Sequence, residues 1–146
     1  MKIIAISSSG GHSTELNSFL AKANIENPIF AIEGNNGEGY KLPSSRRNNK
    51  IVFIINFLVL ILKSIYIYIK ERPEMIITTG ANTAVPLCWL ARKSNVKIIY
   101  IESIARVNTK SKTGKIIEKY NNSVILVQWQ EMTKVYNNSI FIGRVL

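Results

Sequence analysis

Three segments of this chain carry residue types that bind anions or move protons. The first is Ser8-Ser9-Gly10-Gly11-His12, directly after an apolar run. Adjacent glycines let the backbone approach a ligand closely. A helix starting there turns free N–H groups toward an anion such as phosphate or diphosphate. His12 is the one imidazole of the chain and the candidate general base near neutral pH. A bare β-to-α turn would ask for the same glycines. The second segment, Gly80-Ala81-Asn82-Thr83, has the same design. Asn82 suits a left-handed turn or a hydroxyl contact, and Thr83 suits a helix cap. The third is Glu102-Ser103-Ile104-Ala105-Arg106, where Glu102 is a candidate to bind sugar hydroxyls or act as a base, and an internal pair with Arg106 is the competing assignment. Ser111-Lys112-Thr113-Gly114-Lys115 has the composition of a phosphate loop but lacks its upstream glycine spacing. Gln128-Trp129 offers a ring to cap the core or stack on a partner.

The elements that must position these groups alternate regularly. Apolar runs at 2–7, 28–33, 75–79, 97–102, 123–128 and 139–142 read as strands, the first buried on both faces. Ser13 or Thr14 is expected to cap a helix with Leu16, Phe19, Leu20 and Ala23 on its apolar face. Residues 34–50 read as a basic loop. A helix is expected over 84–93, with Pro86 in its first turn, and a shorter one over 111–120. Strands alternating with helices predict one Rossmann-like α/β domain over 1–146, a parallel sheet covered on both faces. Ligands of such sheets sit at the carboxyl ends of the strands, which selects the loops after 7, 79 and 102.

Composition narrows the chemistry. The 146 residues hold 19 Lys+Arg against 9 acids, a net charge of +10, so an anionic partner is expected. Every acid is Glu; the missing Asp excludes a double-aspartate metal site. One His and one Cys leave no His/Cys metal set or disulfide framework, so neither metal nor cofactor is expected. Gly10-Gly11 is not a dinucleotide fingerprint, although Glu33 ends the second strand where a ribose-binding acid would sit. Basic and aromatic residues do not interleave as they do on nucleic-acid platforms.

Ile51–Ile69 is apolar with few interruptions. On a helix, Asn49, Asn56, Lys63 and Lys70 fall seven apart in one narrow polar stripe. Three arrangements compete: a bilayer span, burial against the sheet and a partner, or a helix lying in the membrane interface. The flanks, with Arg46, Arg47 and Lys50, favour the last. Its lipid-facing residues would include Ile51, Phe53, Phe57, Leu58 and Leu62.

Taken in order, Gly10-Gly11-His12, Arg72-Pro73 before a strand ending in Gly80, Ile101-Glu102-Ser103-Ile104-Ala105-Arg106-Val107, the 111–115 segment and Val127-Gln128-Trp129 resemble the membrane-anchoring subunits of split glycosyltransferases. One branch of that family helps add the second N-acetylglucosamine to dolichol diphosphate. The other comprises bacterial capsule and exopolysaccharide proteins that enhance a partner transferase. The resemblance implies the N-terminal half of a GT-B glycosyltransferase, which binds a lipid-diphosphate-linked acceptor while a separate subunit binds the nucleotide sugar. It implies that Gly10, Gly11 and His12 face the acceptor diphosphate, with Gly80, Asn82 and Thr83 beside them. Glu102, Ser103, Arg106, Ser111, Thr113, Gly114, Gln128 and Trp129 would line the cleft or partner interface. The eukaryotic branch begins with a transmembrane helix, whereas this sequence begins with its first strand. Attachment to the cytoplasmic face of a membrane is therefore expected through Ile51–Ile69 and the basic loop, or through the partner. A self-sufficient nucleotide-cofactor enzyme and a non-catalytic membrane module are the other classes open to the sequence.

Overall fold

The computed structural model describes residues 1–34, 38–44 and 49–146. Seven parallel strands form one sheet: β1 (Ile3–Ser7), β2 (Ile29–Glu33), β3 (Tyr40–Leu42), β4 (Met75–Thr78), β5 (Lys97–Ile101), β6 (Ser123–Val127) and β7 (Ser139–Phe141). Their order is β3-β2-β1-β4-β5-β6-β7. The chain winds outward in both directions from the β1–β4 pair, which makes the carboxyl end of that pair the topological switch point.

Parallel pairing forces each connection to cross back over the sheet. α1 (Gly11–Lys22) covers one face, and α2 (Lys50–Glu71), α3 (Val85–Ala91) and α4 (Lys112–Ile117) cover the other. Strand alternation feeds two cores. Ile4, Ile6, Ile76, Ile98 and Val127 point toward α2–α4, and Ala5, Ile77, Ile101 and Leu126 toward Leu16 and Leu20 of α1.

Three local expectations need correction. β3 lies inside the stretch expected as a basic loop. Gly39 there, at φ +101°, lets the backbone fold tightly against Phe30, and the Gly34 amide donates to the Leu42 carbonyl (3.0 Å). Neither Ser13 nor Thr14 caps α1. The helix starts at Gly11 behind Gly10, whose φ of +83° favours glycine, and both hydroxyls donate back to the Gly10 carbonyl (2.8 and 3.2 Å). The third helix begins as a 3-10 turn at Asn82–Ala84 before α3 proper.

α2 departs from an ordinary crossover. Its 22 residues extend about 33 Å, against about 17 Å for a five-residue strand. Its buried residues, Leu60, Ser64 and Ile67, begin at mid-helix; the turns before Leu60 extend past the carboxyl end of β3, where Asn56 lies against Ser44. Asn49 caps it, accepting from the Ile51 and Val52 amides. The predicted polar stripe borders the buried face and reaches back onto protein groups, with Lys63 and Lys70 still exposed. Asn56 donates to the Ser44 carbonyl (3.0 Å), Lys63 to the Lys41 carbonyl (2.5 Å), and the Lys70 ammonium sits 5.5 and 5.3 Å over the Tyr40 and Tyr66 rings. The apolar face looks outward: Ile51 is 70% exposed and Leu62 67%, with Ile54, Ile55 and Leu58 between them. Phe53 and Phe57 stack on one another and are half-buried. Burial of the whole helix within this chain is thereby excluded. Among the described residues this is the one helix long and apolar enough to cross a membrane. Lys50 is exposed at its start; Arg46 and Arg47 lie outside the described residues.

Candidate functional site

At the switch point the loops after β1 and β4 and the end of β2 border an open cavity of about 290 Å³. Ser8, Ser9 and His12 line one side, Ala81 and Asn82 the other, with Glu33 and Thr113 completing it. His12 occupies the second position of α1; its backbone carbonyl accepts from the Thr79 hydroxyl (2.7 Å). Its Nδ1 is buried and, among the described residues, has no hydrogen-bond partner. Gly10 and Gly11 are exposed, and a side chain built on either would meet nothing within 4 Å. The loop therefore offers free space beside a helix N-terminus.

The Gly80–Thr83 segment divides its roles differently from expectation. Asn82 reaches the cavity. Gly80 is buried; its amide donates to Thr78 Oγ1 (2.9 Å), and its missing side chain makes room for the Tyr100 ring, 3.1 Å from where a Cβ would stand. Thr83 caps nothing. Its hydroxyl donates to the Glu33 carboxylate (3.1 Å) beneath the cavity floor. Ala81, on the lip, holds φ +66° and ψ 164°, a region nearly reserved for glycine.

Glu102 is not placed as a base or as the partner of Arg106. It is 1% exposed, and both oxygens are occupied. Oε1 accepts from Tyr100 (2.9 Å) and the Ser103 amide (3.1 Å); Oε2 accepts from the Ser111 amide (3.0 Å) and the Tyr136 hydroxyl. Burial, reinforced by this carboxylate, pushes both phenols well above their ordinary pKa, so they stay protonated and donate. Ser111 caps α4, accepting from the Gly114 amide (2.9 Å), and Gly114 is packed so closely on Tyr136 that no side chain fits. The motif expected to line the cleft is thus tied down by Glu102, and only Thr113 from it reaches the cavity.

The remaining candidates form a second buried network. Ser103 and the Ile104 amide donate to Glu15 (3.0 and 3.3 Å), and Gln128 donates to Glu15 (3.3 Å) and the Glu102 carbonyl (3.0 Å). Gln128 Oε1 accepts from the Val145 amide, and Trp129 donates to the Ile104 carbonyl (2.6 Å) while the Arg144 guanidinium lies 4.4 Å over its ring. Arg106 is exposed and donates to the Thr109 hydroxyl (3.4 Å). Sequence reasoning missed Glu15, and it selected the segments that hold Ser8, Ser9 and Ala81 without giving these three a role of their own. Glu15 had a signal: it stands beside Leu16 on the buried side of α1, where a carboxylate requires donors.

Residues 33–145 match the profile of a family described as "Oligosaccharide biosynthesis protein Alg14 like". The UDP-N-acetylglucosamine transferase subunit ALG14 of Rattus norvegicus is 30% identical over 115 residues, 73% of this chain and 53% of that protein. The chain thus spans about half the length of that relative. By structure it is similar to UDP-N-acetylglucosamine 2-epimerase from Rickettsia bellii (TM-score 0.71, 14% identity, 99% of this chain and 45% of that one). It is also similar to Acinetobacter baumannii MurG (TM-score 0.69, 11% identity, 100% and 46%). At these identities the likeness concerns the fold, the Rossmann-like N-terminal half of a GT-B architecture. With the profile covering most of its length, this chain belongs to the Alg14-like family of oligosaccharide biosynthesis proteins.

Proposed function

We propose that this chain is the acceptor-binding, membrane-recruiting subunit of a two-component glycosyltransferase. It presents a lipid-diphosphate-linked saccharide at the cytoplasmic face of the membrane, and a separate subunit brings the nucleotide sugar. The setting proposed is bacterial capsule or exopolysaccharide synthesis. One observation carries the reading: the overhanging apolar half of α2 and the polar cavity stand at the same end of the sheet. A lipid headgroup lifted from a bilayer would meet both. The start of α1 and the open Gly10-Gly11 backbone suit its diphosphate. His12, beside that loop, is the group to take the acceptor hydroxyl's proton. As that oxygen forms the new glycosidic bond, the sugar–phosphate bond breaks and the nucleoside diphosphate leaves with its electron pair.

The direction of the polar stripe favours a helix lying in the interface over one that spans. A spanning α2 would strip Asn56 and Lys63 of their carbonyl partners and expose an ammonium to hydrocarbon, at about 3 kcal/mol. Lys50, with Arg46 and Arg47 before it, adds roughly 1 kcal/mol per charge near anionic headgroups.

The test is transfer of radiolabelled sugar from a panel of nucleotide sugars, UDP-N-acetylglucosamine among them, to membrane lipid acceptors. This chain, the product of the neighbouring gene, and the pair are assayed side by side. Transfer only by the pair, lost in His12→Ala, is the expected result. Full transfer by this chain alone would sink the two-component reading.

A further inference from the structure

A second cavity, of about 400 Å³, runs between α2 and α3. Phe57, Ile61 and Ile65 line it at helical spacing on α2, and Val85, Pro86 and Trp89 face them from α3. Its lining is almost wholly apolar. Both helices leave the carboxyl end of the sheet and run back along it, since β3, β4 and β5 are parallel. The groove therefore starts at the same end of the sheet as the polar cavity and descends from there. The two are joined by one short piece of chain: Ala81 and Asn82 line the polar cavity, and Val85 and Pro86 the apolar groove. Between Asn82 and Trp89 the chain rises only about 10–14 Å as 3-10 turn and helix. An anionic site and a hydrocarbon slot lie in series along one element.

We propose that this groove holds the first part of the hydrocarbon chain of the lipid diphosphate whose head occupies the Ser8–His12 cavity. The proposal rests on the reading of that cavity as a diphosphate site. The occupant is the acceptor's own tail and not a bilayer lipid, because the continuity through residues 81–86 ties the groove to the polar site. The outer face of α2, with Ile55 and Leu62 seven residues apart on one exposed stripe, does not line the groove and is left for the bilayer. The device separates two recognitions: the membrane is met by the outer face, and the acceptor by a slot that admits one chain.

The full chain is titrated with inorganic diphosphate, dimethylallyl diphosphate and geranylgeranyl diphosphate, each below its micellar concentration. The expected result is at least about tenfold tighter binding of the long chain than of the short one, since each buried methylene adds to affinity. Trp89 supplies a second readout, a blue shift of its emission with the long chain alone. Ile61→Trp fills the groove and is expected to abolish the length preference while leaving inorganic diphosphate binding unchanged. Ile65→Trp, at a more exposed wall position, serves where the first variant unfolds. Ile55→Glu with Leu62→Glu is expected to lose vesicle binding and keep the length preference. Equal affinity for all three diphosphates would overturn the groove and leave the polar site standing. A length preference that survives both groove variants and vanishes in the glutamate pair would move the tail to the outer face and overturn it equally. Failure of diphosphate binding, with Ile61-sensitive binding of geranylgeraniol retained, would uphold the groove and overturn the polar-site reading instead.

Discussion

α1 and α2 cover opposite faces of one sheet and solve opposite problems. α1 hides Leu16 and Leu20 and shows water Thr14, Asn17 and Lys22. α2 ties Asn56, Lys63 and Lys70 to protein groups along one flank, the two lysines still exposed, and shows Ile51, Ile54, Ile55, Leu58 and Leu62. A helix of a soluble surface follows the first rule. The second violates it over a contiguous apolar face, which a monomer in water seldom tolerates. The contrast indicates what lies beyond each helix: water outside α1, and an apolar medium outside α2.

The contrast is broken most directly by charging the outer face of α2. Leu58→Glu with Leu62→Glu is expected to lower partitioning into anionic vesicles a hundredfold or more, since burial of two leucines is worth about 3–6 kcal/mol. Both side chains are exposed in the free chain, so unfolding free energy should shift by no more than about 0.5 kcal/mol per site. Co-sedimentation and urea unfolding of the same samples check the pair of statements. Vesicle binding that survives would leave the apolar face to a protein partner.

The mirror experiment sits on α1. Leu16 is 0% exposed, and Leu16→Ala should cost about 2–5 kcal/mol, whereas Leu62→Ala should be nearly neutral in water. Cys88 gives a built-in readout. It is fully buried, and burial pushes its thiol up to about 12, so a thiol reagent should reach it only through unfolding. Leu16→Ala should therefore speed Cys88 labelling strongly, and Leu62→Ala should leave it unchanged.

This asymmetry was partly legible in the sequence. The seven-residue spacing of Asn49, Asn56, Lys63 and Lys70 gives the stripe, and the strand runs with their intervening helices give the sheet and its ligand end. Which way the stripe points was not legible, because that depends on β3, three residues set between Gly39 and Pro43 in a stretch that reads as loop. That His12 and Asn82 stand at the ligand end of the sheet was legible, because the loops at strand ends follow from the strand runs themselves. The role of Glu102 was not, since a carboxylate at a strand end reads alike whether it faces a ligand or is enclosed by donors. Tyr136, which encloses it, is 34 residues away, and no local pattern links them. Glu15 was missed for the same reason: Ser103 and Gln128 are its partners only once the sheet is assembled.

A smaller effect tests whether the inward stripe is structural. Asn56→Ala removes the bond to the Ser44 carbonyl and is expected to cost about 1 kcal/mol in water. If α2 spanned a bilayer, the same change would instead remove a polar group from hydrocarbon and raise membrane retention. The sign of the change in vesicle binding therefore separates an interfacial helix from a spanning one.

The smallest effect concerns the far end of α2, where its last residue holds β3. The Tyr40 hydroxyl donates to Glu71, and Lys2 lies 3.5 Å from the same carboxylate. These contacts, the tyrosine first, hold the Glu71 carboxyl below its ordinary pKa. A depressed carboxyl contributes stability that is present above its unfolded pKa and lost as pH falls through the folded one. Acidification below the ordinary carboxylate range should thus loosen β3 from α2 slightly. Glu71→Gln should flatten that part of the stability profile and leave neutral pH little changed, because the amide oxygen still accepts from Tyr40. Amide exchange of the Tyr40–Leu42 strand, followed from neutral to acid pH in both proteins, is the measurement. A parallel acid dependence in the two would assign the loosening to other carboxylates and remove Glu71 as the link between the inward stripe of α2 and the edge of the sheet.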